Sequence, residues 1–253
     1  MAEAFEVQHP KAGPRNWPGR AGRHHAAEEG YKAGMIGELQ THSPAVEAYR
    51  LVRTNLQYLA VDKPLRSIMI TSGLPAEGKS LTAANLALSF ANAGKATVLV
   101  DADMRRPVQS VLFGLPNVYG LSAVLAGSCT LNEALQSVPR AKNLWVLPAG
   151  PTPPNPAELL GSRRAQELFA GLTNDYDVVI YDTPPPGMVA DPLVLAPQVD
   201  GVILVVSAEN SDYVQSQKAK EALEKVGARI LGVVLNDVPL KQMGYYARYY
   251  RRR

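Results

Sequence analysis

Ser67-Ile68-Met69-Ile70-Thr71, then Gly73-Leu74-Pro75-Ala76-Glu77-Gly78-Lys79-Ser80, then an Ala- and Leu-rich stretch: this run decides the fold. The octapeptide fits G-x-x-x-x-G-K-[ST] and sits between an apolar strand and a helix, the setting that a phosphate-binding loop requires. Loop N–H groups cradle a polyphosphate, and the following helix adds its positive N-terminal end. Lys79 then reaches the β/γ-phosphates and the Ser80 hydroxyl ligates Mg²⁺. The spacing predicts Gly73, Glu77, Gly78, Lys79, Ser80 and Leu81 as nucleotide contacts.

Outward from this loop the chain alternates strands and helices. Strand-like runs fall at 67–71, 96–101, 144–148, 177–182, 201–207 and 230–236, most of them rich in Val, Ile and Leu without alternation. Runs of that kind are buried on both faces, which predicts an α/β fold: a mostly parallel sheet with helices on both sides. Helices are expected at 80–93, 119–126, 130–137, 156–172, 191–196 and 211–226. A further helix starts after Ser43-Pro44, where Ser43 caps and Pro44 takes the first position, and runs towards Leu59. Asn155-Pro156-Ala157-Glu158 also has the composition of a helix start. Residues 1–40 carry Pro10, Pro14 and Pro18 without a sustained apolar period, and read as a flexible arm in which His24-His25 is a solvated pair. The expected organisation is an arm at 1–40, a nucleotide-binding domain at 41–240 and a tail at 241–253.

The bulk composition is consistent with this. A chain of 253 residues buries a sizeable core. A net charge of +3 does not call for nucleic acid, since Arg248, Arg251, Arg252 and Arg253 crowd the end of the chain. The single Cys129 forms no internal disulfide, in keeping with a reducing cytoplasm. No apolar run approaches the ~18 residues of a membrane span. Met1 to Glu6 lacks the pattern of a secretory signal. Membrane association is therefore expected through a partner or the basic tail.

Two acidic strand ends complete the site. Val178-Val179-Ile180-Tyr181 ends in Asp182, where a carboxylate holds Mg²⁺ through water. Val98-Leu99-Val100 ends in Asp101-Ala102-Asp103, and strand alternation puts Asp101 and Asp103 on one side. Such a pair suits one metal-coupled acid and one proton acceptor for a nucleophile. Asp101 is the expected acceptor, with Asp103 on the metal, although the two roles are exchangeable. Glu47, Arg50 and Arg53 recur every third residue, an arc of about 120° on a helix, and are expected to form an ionic strip. Four of the 11 tyrosines lie in the last nine residues.

These blocks together resemble the bacterial protein-tyrosine kinases of capsular and exopolysaccharide assembly. The resemblance rests on Thr71-Ser72 with Glu77-Gly78-Lys79-Ser80, Val100-Asp101-Ala102-Asp103-Met104-Arg105-Arg106-Pro107, Ile180-Tyr181-Asp182-Thr183-Pro184-Pro185 and Asn155-Pro156-Ala157-Glu158-Leu159-Leu160, and covers about residues 43–253. It implies autophosphorylation of Tyr245, Tyr246, Tyr249 and Tyr250 between subunits, with ATP and Mg²⁺. It further implies that Glu47, Arg50 and Arg53 make subunit contacts in a ring, and that Asn236 contacts adenine; Asn236 also reads as a strand-ending turn residue. The partners implied are a separate transmembrane activator of the polysaccharide co-polymerase kind and a cognate protein-tyrosine phosphatase. The location implied is the cytoplasm, at the inner face of the plasma membrane. The nearest rival is a MinD/ParA-like switch ATPase, whose loop carries an early second lysine; positions 72–77 here have none. A third reading is an assembly protein whose tail only docks. Ala76 stands where the kinase family often has Gly, so its backbone is the point to inspect.

Overall fold

The computed structural model describes residues 3–6, 34–37, 43–59 and 64–238. Among these residues an eight-stranded sheet forms the middle layer, in the order β1-β8-β7-β2-β6-β3-β5-β4. Its strands are β1 (Glu3–Glu6), β2 (Ser67–Ser72), β3 (Thr97–Asp101), β4 (Gln136–Ser137), β5 (Leu144–Leu147), β6 (Val178–Asp182), β7 (Gly201–Ser207) and β8 (Ile230–Asn236). Every pairing is parallel except that of β4 with β5. The α/β expectation holds.

Successive strand residues feed opposite layers, as the pleat demands. Ile68, Ile70, Leu99 and Ile180 join one core cluster, with Tyr49, Val52 and Leu86 from the helices α1 (Pro44–Tyr58) and α2 (Lys79–Asn92). Met69, Val98, Val100, Val179 and Tyr181 join the other, with Leu160, Phe169 and Leu195 from α6 (Pro156–Leu160), α7 (Arg163–Asp175) and α8 (Asp191–Leu195). The short helices α3 (Gln109–Phe113), α4 (Leu121–Ala126) and α5 (Leu131–Ala134) fill the connections after β3, and α9 (Tyr213–Lys225) links β7 to β8.

Several boundaries differ from the sequence expectations. Glu3–Glu6, inside the expected arm, pairs with β8 as an edge strand. Met35 and Ile36 are buried, and Asn85 of α2 ties down their segment by donating to the Gly34 carbonyl and accepting from the Ile36 N–H. The expected helix 130–137 stops at Ala134, because Gln136–Ser137 pairs antiparallel with β5. The expected helix 156–172 is two helices, broken at Gly161-Ser162, where Ser162 caps the second by accepting from the Ala165 N–H. Asn155 does not cap through its side chain, whose amide donates to Glu158 instead. Ser43 caps α1 as expected, accepting from the Val46 N–H, with Pro44 in the first turn.

Candidate nucleotide and phosphotransfer site

The loop after β2 is closed from several sides. The Ser72 hydroxyl donates to the Leu74 carbonyl at 2.7 Å. The wholly buried Glu77 accepts from the Leu74 N–H at 2.7 Å with one oxygen and from the Ser211 hydroxyl with the other. Asn236, at the end of β8, donates to the Glu77 carbonyl at 3.1 Å. Gly78 has φ +90°, and a Cβ there would collide with the Asn236 amide. Glycine at 78 is thus required twice over, by backbone and by space. Ala76 also sits in the left-handed region, at φ 65°. A non-glycine residue there carries strain of about 1 kcal/mol, held in place by the bonds around it.

Register brings the acids to this loop. Asp101 and Asp182 are Cα partners across β3 and β6, and Ile70 of β2 is the partner of Asp182 on the other side. Lys79, first residue of α2, donates to Asp103 at 3.0 Å, Asp182 at 3.4 Å and the Ser80 hydroxyl at 3.0 Å. The ammonium and both carboxylates are buried. Burial alone would lower the Lys79 pKa, but Asp182 and Asp103 outweigh it and hold the ammonium above its ordinary range. Leu81 is half-buried on the next step of α2, packed against the first core cluster.

The Asp101–Asp103 pair is divided by its partners. Asp103 accepts from the Arg106 N–H at 3.0 Å with one oxygen and from Lys79 with the other. Asp101 lies deeper, with no exposed surface. Its Oδ2 accepts from the Val108 and Gln109 N–H groups, both at 3.0 Å, while Oδ1 carries one long 3.3 Å bond from the Asp103 N–H. Burial, and then the Asp182 charge, raise its pKa well above the usual carboxylate range. The alternation is as expected: Ala102 packs into the opposite core cluster.

Sequence reasoning missed two residues here. Gln109 has no exposed surface and donates to both Asp182 and the Ser80 carbonyl. Asp191, equally buried, receives a bidentate pair from Arg105 at 2.7 and 3.0 Å, which pins the segment after Asp103 against α8. An amide eight residues beyond an acidic strand end gives no sequence signal. Asp191-Pro192 did mark a helix start, but not its partner.

The expected ionic strip on α1 is corrected in one member. Glu47 and Arg50 pair on the surface, whereas Arg53 turns inward and donates to the Ser89 carbonyl of α2 at 2.5 Å. Helical spacing places three residues on one arc, but a long arginine at its edge reaches the Ser89 carbonyl on the neighbouring helix instead. Tyr245, Tyr246, Tyr249 and Tyr250 lie outside the described residues. Among the described residues no helix is long and apolar enough to cross a membrane.

A parallel sheet with a phosphate-binding loop after one central strand and acids at the ends of two others defines a P-loop nucleotide-binding protein. Residues 68–246 match the family described as CobQ/CobB/MinD/ParA nucleotide binding domain. The tyrosine-protein kinase YwqD of Bacillus subtilis is 44% identical over 215 residues, covering 85% of this chain and 90% of that protein. The solved chimerical protein CapA2B2 superposes with a TM-score of 0.78 at 42% identity, covering 81% and 90% of the two chains. The septum site-determining protein MinD of Pyrococcus horikoshii, solved with Mg-ADP, is more distant, with a TM-score of 0.58 at 29% identity over 68% of this chain and 70% of that one. Within the wider nucleotide-binding family, the chain belongs to the bacterial tyrosine-protein kinases.

Proposed function

We propose that this chain is an ATP-dependent tyrosine autokinase that phosphorylates Tyr245, Tyr246, Tyr249 and Tyr250 of a neighbouring copy. The observation that carries the reading is the buried ammonium of Lys79 held between Asp103 and Asp182 beside Ser80. That cation marks where the charge of a polyphosphate and its counter-ion belongs. The loop amides and Lys79 bind the β/γ-phosphates, and Asn236 lies at the loop for the base.

The donor set fits Mg²⁺: two carboxylates, Asp103 and Asp182, and the Ser80 hydroxyl. Among the described residues no group of three or more acidic, His or Cys side chains converges on a metal position. An ion here would complete its shell with phosphate and water, the usual habit of Mg²⁺. When bound it neutralises the charge between the β- and γ-phosphates. Asp101 accepts the tyrosine proton on Oδ1, the oxygen with spare capacity, and its raised pKa suits that task. The phenolate oxygen forms the new bond to the γ-phosphorus as the β–γ bridging bond breaks, and ADP leaves with the electron pair.

Transfer between copies agrees with the reach of the chain. β8 runs parallel to β7 and ends at Asn236, on the same edge as the loop. Nine residues separate Asn236 from Tyr245, about 30 Å when extended. Subunit contacts through the α1 face with Glu47 and Arg50 would form a ring that presents each tail to its neighbour, with Arg53 fastening that helix to α2. Each phosphate adds roughly −1.5 to −2 charges to a positive tail, so phosphorylation loosens the ring. A transmembrane activator of polysaccharide assembly, recruitment to the inner membrane face and reversal by a phosphatase complete the proposal.

A mixing experiment tests it. Wild-type protein lacking residues 241–253 is incubated with Mg·ATP, its activator and a full-length Lys79→Met chain. Phosphotyrosine on the Lys79→Met chain is expected. Release of free phosphate with no labelled protein would favour a MinD-like switch instead.

A further inference from the structure

Resting on that reading of the site, we infer that Gln109 is a positioning residue that sets the Asp182 carboxylate for the metal–nucleotide complex. Three observations converge on this one amide. Its Nε2 donates to Asp182 Oδ2 at 2.8 Å and to the Ser80 carbonyl at 3.0 Å, so both amide hydrogens are used. Its backbone N–H donates to Asp101 Oδ2 at 3.0 Å. It has no exposed surface, and its Oε1 is buried without a partner.

Both neighbours of Nε2 are acceptors, so the amide has only one orientation that satisfies them. That orientation leaves Oε1 unsatisfied, at a cost of about 1–3 kcal/mol. A core position chosen for packing alone would carry an apolar side chain without this penalty. The penalty is offset by what Nε2 does. It occupies one oxygen of Asp182 and leaves Oδ1 turned to the Lys79 ammonium, and it ties that choice to the first turn of α2 through Ser80. Gln109 therefore fixes which Asp182 oxygen faces the phosphates, and links it to the segment that Asp101 holds. Partners that orient a ligating carboxylate are typically worth 10–100-fold in metal affinity.

Gln109→Met keeps the length of the side chain and removes both donors. A fluorescent ATP analogue is titrated into the full chain in EDTA, and again at rising Mg²⁺. In EDTA the variant should bind within about 2-fold of wild type. The Mg²⁺ concentration for half-maximal enhancement of binding should rise by about 10-fold. Gln109→Asn, whose shorter amide cannot span both acceptors, should shift the Mg²⁺ curve in the same direction and decides the matter if the Met variant does not fold. Mg²⁺ curves that coincide with wild type in a folded variant overturn the inference. So does an equal loss of nucleotide binding with and without Mg²⁺, which marks a purely structural amide. Absence of phosphotyrosine from the wild-type protein would sink the kinase reading alone, because these titrations do not depend on transfer.

Discussion

Two ionic groups in this molecule use the same kinds of side chain under opposite conditions. At the carboxyl edge, Lys79, Asp101, Asp103 and Asp182 are buried together. On α1, Glu47 and Arg50 pair with side chains 32% and 40% exposed. The surface pair is worth a few tenths of a kcal/mol. The buried group places three carboxylates against one cation, and desolvation offsets much of its Coulomb attraction. Stability does not explain such an arrangement; a function that handles charge does. The contrast separates a site from a helix face more sharply than the residue types do.

The largest expected break in this contrast is Lys79→Met. Removing the cation leaves three buried carboxylates uncompensated and should destabilise the nucleotide-free protein by ~3 kcal/mol at neutral pH. Denaturant melts should show that deficit narrowing in acid, as the carboxylates take protons. Phosphotransfer should fall by about 10³-fold.

Asp101→Asn works in the other direction. Because the folded pKa of Asp101 is raised, its contribution to stability is present below the unfolded pKa and lost as pH rises through the folded one. The asparagine variant escapes that loss and keeps an acceptor for the Val108 and Gln109 N–H groups. It should melt a few degrees higher than wild type at neutral pH, with the gap closing in acid, while tyrosine phosphorylation drops by at least ~10²-fold. A lower melting point at neutral pH would contradict the burial argument.

Ala76→Gly relieves a left-handed alanine, set against the greater freedom of glycine in the unfolded chain. A net gain of about 0.5 kcal/mol is expected, read as a small rise in the denaturation midpoint. Smallest for the subunit itself is Arg50→Ala, which should leave the unfolding free energy within ~0.5 kcal/mol. The same change should reduce the assembly measured by light scattering, since the proposed role of this face lies between copies.

The same contrast explains what was legible in the sequence. Strands buried on both faces are continuous apolar runs, so the six central strands were readable, most of them from their Val, Ile and Leu content. The phosphate loop was readable because its backbone demands particular residues at fixed spacing, and Ala76 stood out against that demand. The acids were readable as polar ends of apolar runs. What escaped depends on partners distant in sequence. Glu3–Glu6 becomes a strand because β8 offers it an edge. Gln136–Ser137 leaves the helical pattern because β5 lies alongside. Gln109 and Asp191 matter through Asp182 and Arg105, 73 and 86 residues away in the chain. Arg53 leaves the strip that spacing assigns it because Ser89 of α2 presents a carbonyl.

In the proposed reaction the buried ionic cluster transfers phosphate to the tyrosines that follow β8 in the chain. It is tested most directly by incubating the full chain and its activator with γ-labelled ATP and Mg²⁺, and mapping the label by peptide mass spectrometry. Label is expected on Tyr245, Tyr246, Tyr249 and Tyr250, and none when Lys79→Met is the only chain present. ATP consumed to free phosphate with the tail unlabelled, or tail labelling that survives in Lys79→Met alone, would contradict it.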